Sequence, residues 1–581
     1  MARPSGELIR VGTLGEIKEK CCVVVSGGGH SIAVFYHNGE VHAVDNRCPH
    51  MGFPLSKGSV KDGILTCHWH HARFDLKSGG TFDPWADDVR SFPVKVKDGE
   101  MWVDTGRRDD YIARQRTRLR EGLEQNISLV MAKAAISLLD GDVDPAEPFK
   151  IGLEFGIRYR TGWGQGLTIE TCFMNIFPFL SSDDRPLALY HGLSAVGNDT
   201  AGMQPNFIVR PLPGNHTDIP TLKRWFRRFV EVRDADGAER CIVSAVEAGA
   251  TSAQMAEVLF AAATDHRYIQ IGHALDFTNK ALEALDHAGW TYAAPVLASL
   301  APNFAAASRA EESNQWRNPV DLVAILEEAF TKLPTALEAG QEKHGRWQGR
   351  DSITPILLGD DPHSIAEALL DSLRDGATPE QLAARVAYAA ALRIAQFHTS
   401  NEFGDWDTSL HTFTFSQAVH QGMKRAPSVE LLRGVFDAAM SVYLDRFLNT
   451  PPARLPELSP DGRRDTASLL DEFVALLDRQ QQVNEAATVV ARYLGGGGDP
   501  DRLLMTLGKD LLREDRDFHT IQMVEAAFRQ YAALRGTPAG AHVLIAAARY
   551  LAAHSPTVRA QRQTYNIAWR LHRGEKVYEG E

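Results

Sequence analysis

Two stretches, NRCPHMGFPLSKG at 46–58 and CHWHHARFDLKSG at 67–79, decide how the first part of the chain reads. The first pairs Cys48 with His50 and the second pairs Cys67 with His70, with sixteen residues between His50 and Cys67. A Cys and a His two or three positions apart on a tight loop offer one soft and one nitrogen ligand to a single centre. Two such loops make a four-ligand set of two thiolates and two imidazoles. Pro54, Gly58 and Gly63 lie between the halves and suit turns.

Around these loops the pattern is β. SIAVFYHNGEVHAVDN turns at His37-Asn38-Gly39 and VKVKDGEMWVD turns at Asp98-Gly99, both hairpin signals. LIRVG, CCVVV and GILTC read as further short strands. After Asp104 the composition shifts. RRDDYIARQRTRLR is a charged connector that starts a helix, and Ala-Leu-rich helical periodicity then runs to the C-terminus. The expected fold is multidomain: an all-β domain at 1–108, a linker at 109–125 and a large all-α domain at 126–581. Helix starts are signalled at Thr378-Pro379-Glu380 and Ser459-Pro460-Asp461.

The chain has 581 residues, 44% apolar and 23% charged, with a formal charge of −12. Residues 1–110 are nearly balanced, so the acidity lies in the helical body. That excludes nucleic acid as an expected partner. No run of about 18 apolar residues occurs, so no membrane span is expected. The N-terminus lacks a signal-peptide core, and a cytoplasmic location is expected. Six cysteines in so long a chain do not suggest a disulfide framework.

A mixed Cys/His pair on each of two loops between strands matches a 2Fe–2S cluster with two Cys on one iron and two His on the other. Zinc is the competing occupant, but zinc fingers usually keep their cysteines together in C-x-x-C, ahead of a helix. With these motifs, residues 7–106 resemble Rieske ferredoxin and oxygenase domains. The resemblance implies a 2Fe–2S cofactor on Cys48, His50, Cys67 and His70. Phe53 and Trp69 stand where the cytochrome bc branch has a disulfide, which places the resemblance with the ferredoxin and oxygenase branch. His71 occupies a place where such domains usually have Gly. His68 and His71 are expected at the surface or behind the ligands.

A cluster of this kind carries one electron and does no substrate chemistry, so the body must account for function. The usual β-rich catalytic partner with D-x-x-H-x-x-x-x-H is missing, as are the two Glu-x-x-His pairs of a di-iron bundle. GGGG at 495–498 lacks the Lys-Ser/Thr of a phosphate loop and reads as a helix connector. The histidines remain: His191, His266, His273, His398, His411 and His519. His266 and His273, seven apart, would share a face if one helix carried both. Asp405 and Asp407 could support such a site or simply cap a helix.

Residues 150–530 weakly resemble the questin oxidase family, helical non-haem metal oxygenases. This resemblance implies His191, His266, His411 and His519 as ligands of a second metal, with His273 and His398 in reserve. Gln270 replaces one family His. The expectation is therefore a Rieske-type non-haem iron oxygenase. Its 2Fe–2S cluster would relay electrons to Fe(II) on those histidines, to activate dioxygen against a small organic molecule, aromatic ones included. A separate reductase or ferredoxin would donate the electrons, since no flavin or NAD fingerprint occurs, and the chain could form a homo-oligomer. The alternative is a non-catalytic electron-transfer or redox-sensing protein whose helical domain is a docking module.

Overall fold

The computed structural model describes residues 8–106, 110–214, 217–458, 466–575 and 577. Ser459-Pro460-Asp461 lies outside the described residues. The chain divides into two compact units, 1–151 together with 560–581, and 152–559.

Ten strands build the β part of the first unit: β1 Leu8–Thr13, β2 Cys22–Gly27, β3 His30–His37, β4 Glu40–Asp45, β5 Ser59–Lys61, β6 Ile64–Thr66, β7 Arg73–Asp75, β8 Ser91–Phe92, β9 Val94–Lys97 and β10 Glu100–Asp104. They form three antiparallel sheets in the orders β1-β10-β9, β2-β3-β4-β8 and β5-β6-β7. The Asn38-Gly39 and Asp98-Gly99 turns both take positive φ at the two central residues, as tight hairpins of right-handed strand twist require. Asp62-Gly63 does the same between β5 and β6.

The 109–125 segment was expected as a charged linker that begins a helix. Its described part is largely the helix Tyr111–Glu124, which belongs to the first unit. Leu119 and Leu123 are buried, and Gly122 lies so close to the next helix that a Cβ would meet Met131 at 3.0 Å. The charges that suggested a linker are ion-paired instead: Arg114 to Asp88 at 2.6 Å and Arg118 to Asp87 at 2.8 Å. The helices Ser128–Asp140 and Ala560–His572 complete the unit.

The second unit is helical. Gln165–Ile176, His273–Ala288, Phe403–Arg425 and Phe518–Leu534 are mutually packed and carry an unusual number of buried polar side chains. Thr378 caps the helix Pro379–Ala395 through a reciprocal bond with Gln381, as its sequence signal implies. Among the described residues no helix is long and apolar enough to cross a membrane.

Candidate functional site

The first site is made by the loop after β4 and the loop between β6 and β7. Leu55, Leu65, Phe74 and Val89 are buried around Cys48 and Cys67, so an apolar floor holds both sulfurs. Burial of each such side chain contributes about 1.5–3 kcal/mol. Each loop is closed by its own backbone bonds. The Cys48 and Cys67 N–H groups donate to the Phe53 and Ala72 carbonyls, both at 2.8 Å. Arg47 grips Asp45 through two bonds, of 2.8 and 2.6 Å, which fixes the strand end before Cys48.

The donor set fits a two-iron cluster. The two sulfurs lie within hydrogen-bond reach of each other, and the backbone N–H groups of His50 and Met51 point at Cys48 Sγ. Those of Trp69 and His70 point at Cys67 Sγ. The proton shared with Cys48 lowers the Cys67 thiol below the usual range, with burial opposing and the two N–H groups assisting. The His50 and His70 rings are 4.9 Å apart, nearly perpendicular. The buried Nδ1 of His50 has no hydrogen-bond partner among the described residues, as a nitrogen reserved for a metal would not. His70 is exposed, which leaves an electron route to the surface.

Phe53 and Trp69 meet with ring centroids 6.3 Å apart, so aromatic contact joins the loops where a disulfide would otherwise stand. His71 has φ +64°, the left-handed region where Gly is cheapest. His68 and His71 are exposed, and His68 Nε2 lies 3.0 Å from Ser59 Oγ.

A second site lies in the helical unit. His273 opens one helix, His411 lies in the third turn of another, and His519 is the second residue of a third. One ring nitrogen from each falls within 4.8 Å of the others. His411 Nε2 and His519 Nε2 are 3.1 Å apart. Metal–nitrogen bonds of about 2.0–2.1 Å put two imidazole nitrogens roughly 2.9–3.4 Å apart at 90–110°. Burial pushes His273 down to about 3 and His411 to about 4, with the neighbouring imidazoles adding to the effect. Both are therefore neutral at pH 7, the form a metal needs. Asp407, one turn before His411, places Oδ2 3.6 Å from His519 Nδ1, and its other oxygen accepts from Tyr550 at 2.7 Å. A carboxylate behind a ligating imidazole orients it.

Three other histidines of the expected set do not join this group. His266 Nδ1 is 2.8 Å from Glu311 Oε1 and its Nε2 is 3.3 Å from Glu231. The helical face assumed for His266 and His273 does not form. Tyr268, Gln270 and Ile271 take φ of 41°, 53° and 53°, so the helix begins only at His273. His191 is buried among rings, 5.8 Å from Phe173 and from Tyr190 by centroid. His398 is held by Ser400, 2.5 Å from its Nδ1. Sequence reading passed over Tyr550 and the buried charges Asp276, Lys280, Glu283 and Glu525. The segment HALDFTNKALEALDH at 273–287 carried the signal, because its polar residues recur at spacings of three and four within an otherwise apolar helix.

A Rieske [2Fe-2S] domain model matches residues 7–93. The ferredoxin component of the p-cumate 2,3-dioxygenase system of Pseudomonas putida is 39% identical over 80 residues, covering 13% of this chain and 68% of that protein. The 4beta-methylsterol monooxygenase of Methylococcus capsulatus is 36% identical over 104 residues, 16% of this chain and 28% of that protein. Among solved structures, the ferredoxin of carbazole 1,9a-dioxygenase from Nocardioides aromaticivorans IC177 aligns at 26% identity and a TM-score of 0.16, over 17% of this chain and 97% of that one. These likenesses each cover less than a fifth of this chain.

Proposed function

The chain belongs to the Rieske [2Fe-2S] family through residues 7–93, and from that premise we propose that it is a non-haem iron oxygenase with a helical catalytic unit. Cys48, His50, Cys67 and His70 would hold the cluster, and His273, His411 and His519 would hold Fe(II). When bound, the cluster supplies one-electron transfer and the iron supplies dioxygen activation for oxidation of a small organic substrate.

The observation that carries the reading is the convergence of three imidazoles from three helices. Without a metal, that arrangement buries rings that crowd one another and lose solvation. His273, His411 and His519 would hold the metal by one ring nitrogen each. Asp407 holds His519 in place, and the Tyr550 hydroxyl steadies Asp407. Phe277 and Phe518 stand against His273, at centroid distances of 5.2 and 5.7 Å, and offer an apolar flank suited to an aromatic ring. A separate reductase or ferredoxin would load the cluster. The ferredoxin-component and monooxygenase relatives support service in an oxygenase system.

Iron per chain, measured after anaerobic purification, tests this reading. About three irons are expected, two in the cluster and one on the imidazoles. His411→Ala should lower the count to about two and leave the reduced-cluster EPR signal unchanged. About two irons in the unsubstituted protein, unaltered by His411→Ala, would instead favour a tethered electron carrier.

A further inference from the structure

Below the three imidazoles, two facing helices carry matched polar residues through the apolar core. On the His273 helix these are Asp276, Lys280, Glu283 and His287; on the His519 helix, Gln522, Glu525 and Arg529. Each series steps by three or four residues from its ligand, so it stays on one face. Gln522 donates to Asp276. Lys280 Nζ is shared between Glu525 at 2.7 Å and Glu283 at 3.0 Å. Asn175, from the helix Gln165–Ile176, donates to Glu283 at 2.8 Å and to Glu525 at 2.7 Å, and its oxygen lies 2.9 Å from His287 Nε2. Arg529 bonds Glu283 at 3.0 Å, with a side chain 34% exposed. The column thus has two bonded segments on one face, the Asp276–Gln522 pair, with Asp276 3% exposed, and the cluster of Lys280, Glu283, Glu525, Asn175 and His287 that ends at the part-exposed Arg529.

We infer that this column is a proton relay whose inner residue, Asp276, exchanges protons with the three-histidine site. The inference rests on the proposed metal reading. Insertion of one oxygen atom of O2 into a C–H bond forms an alcohol and one water. It consumes two electrons and two protons. The electrons come from the external reductase through the cluster, and the column offers the protons a path from the Arg529 end on the side of the imidazoles away from the part-exposed His519 and Asp407. A purely structural interior would use apolar side chains more cheaply, since buried ions gain little over well-packed hydrophobic residues.

The local charges suit the role. Burial pushes Asp276 up to about 7, with Lys280 and Gln522 pulling it down and Glu525 and Glu283 raising it. Cys172, from the helix Gln165–Ile176, also faces these charges, and His411, from the helix Phe403–Arg425, faces His273 one turn above Asp276. Burial works against the Lys280 charge, but Glu283 and Glu525 override it and hold the ammonium. Asp276 is therefore a member of the column that changes protonation near neutrality.

Infrared titration of the full chain tests this, with Asp276→Asn identifying the carboxylic-acid band. In metal-free protein the Asp276 band should titrate near 7. Zn(II) on the imidazoles, a dication about one helical turn away, should lower that midpoint by about one unit or more. In iron-loaded, dithionite-reduced protein, Asp276→Asn should slow dioxygen uptake about tenfold and enlarge its solvent isotope effect, with cluster reduction unchanged. Asp276→Glu should recover part of the rate. Zn(II) binding with no shift of the band overturns the relay and leaves the metal site standing, as does wild-type uptake by Asp276→Asn. Failure of Zn(II) to bind overturns both.

Discussion

In the metal-free protein, acidification from pH 8 to pH 5 should withdraw about 6 kcal/mol of stability through three buried histidines, while Asp276, Asp437 and Asp445, raised to about 7 by burial, each return up to about 2.7 kcal/mol over the same range. His273, His411 and His420 are buried bases lowered to about 3, 4 and 3, in each case chiefly by burial. In the unfolded chain each returns to about 6.5. Their folded pKa lies below the unfolded one, so the unfolded state binds the extra protons. Stability is fully present above 6.5 and is lost as pH falls from there toward 3–4. At pH 5 the window is about 1.5 units, and at about 1.36 kcal/mol per unit each histidine costs about 2 kcal/mol. Zn(II) changes the outcome in a residue-specific way. The native imidazoles stay unprotonated at pH 5, so the ion still binds His273 and His411 and offsets their share. His420, which bonds Gln530 at 2.9 Å, is left to titrate. The assay is urea unfolding by far-UV circular dichroism at several pH values, with chelator or with Zn(II). An equal change in midpoint between pH 8 and pH 5 for chelated His420→Gln and chelated unsubstituted protein would refute the burial argument. A Zn(II) increment that survives intact in His411→Ala would refute the assignment of the ion to these rings.

Asp407→Asn should weaken metal binding by about 10–100-fold while leaving the cluster intact, because His519 loses the carboxylate that orients it; competition with a chromophoric chelator reads this directly. Lys133 donates to the Pro49 carbonyl, between two ligands, at 3.2 Å. Lys133→Met should therefore lower the cluster midpoint potential by roughly tens of millivolts, since a nearby cation favours the reduced form; its pairing with Asp87 keeps the effect small. Phe53→Ala removes the ring that meets Trp69 and should cost about 1–2 kcal/mol of stability at a half-buried site. Its cluster should bleach faster in air, followed by visible absorbance.

The two loops that bring Cys48 and His50 beside Cys67 and His70 were legible from the primary structure because each loop is local. Cys48 and His50, or Cys67 and His70, lie within four residues, and the Gly and Pro between them turn the chain without help from distant segments. The β-then-α organisation was equally legible, since period-two and period-3.6 patterns are set by neighbours. The charged segment 109–125 was legible as the start of a helix but not in its ion pairs, because Arg114 and Arg118 pair with Asp88 and Asp87, which lie some 26–31 residues earlier. The second site belongs to the tertiary structure. His273, His411 and His519 meet only when helices separated by more than a hundred residues pack together, and no spacing rule relates them. His266 looked equivalent to His273 on a helical wheel. Three left-handed residues between them broke the helix, so the wheel did not apply. The residue types and their short-range spacings determined the first site and named the histidines available for the second. Packing alone decided which of those histidines converge, because convergence depends on the crossing of helices and not on their separate sequences.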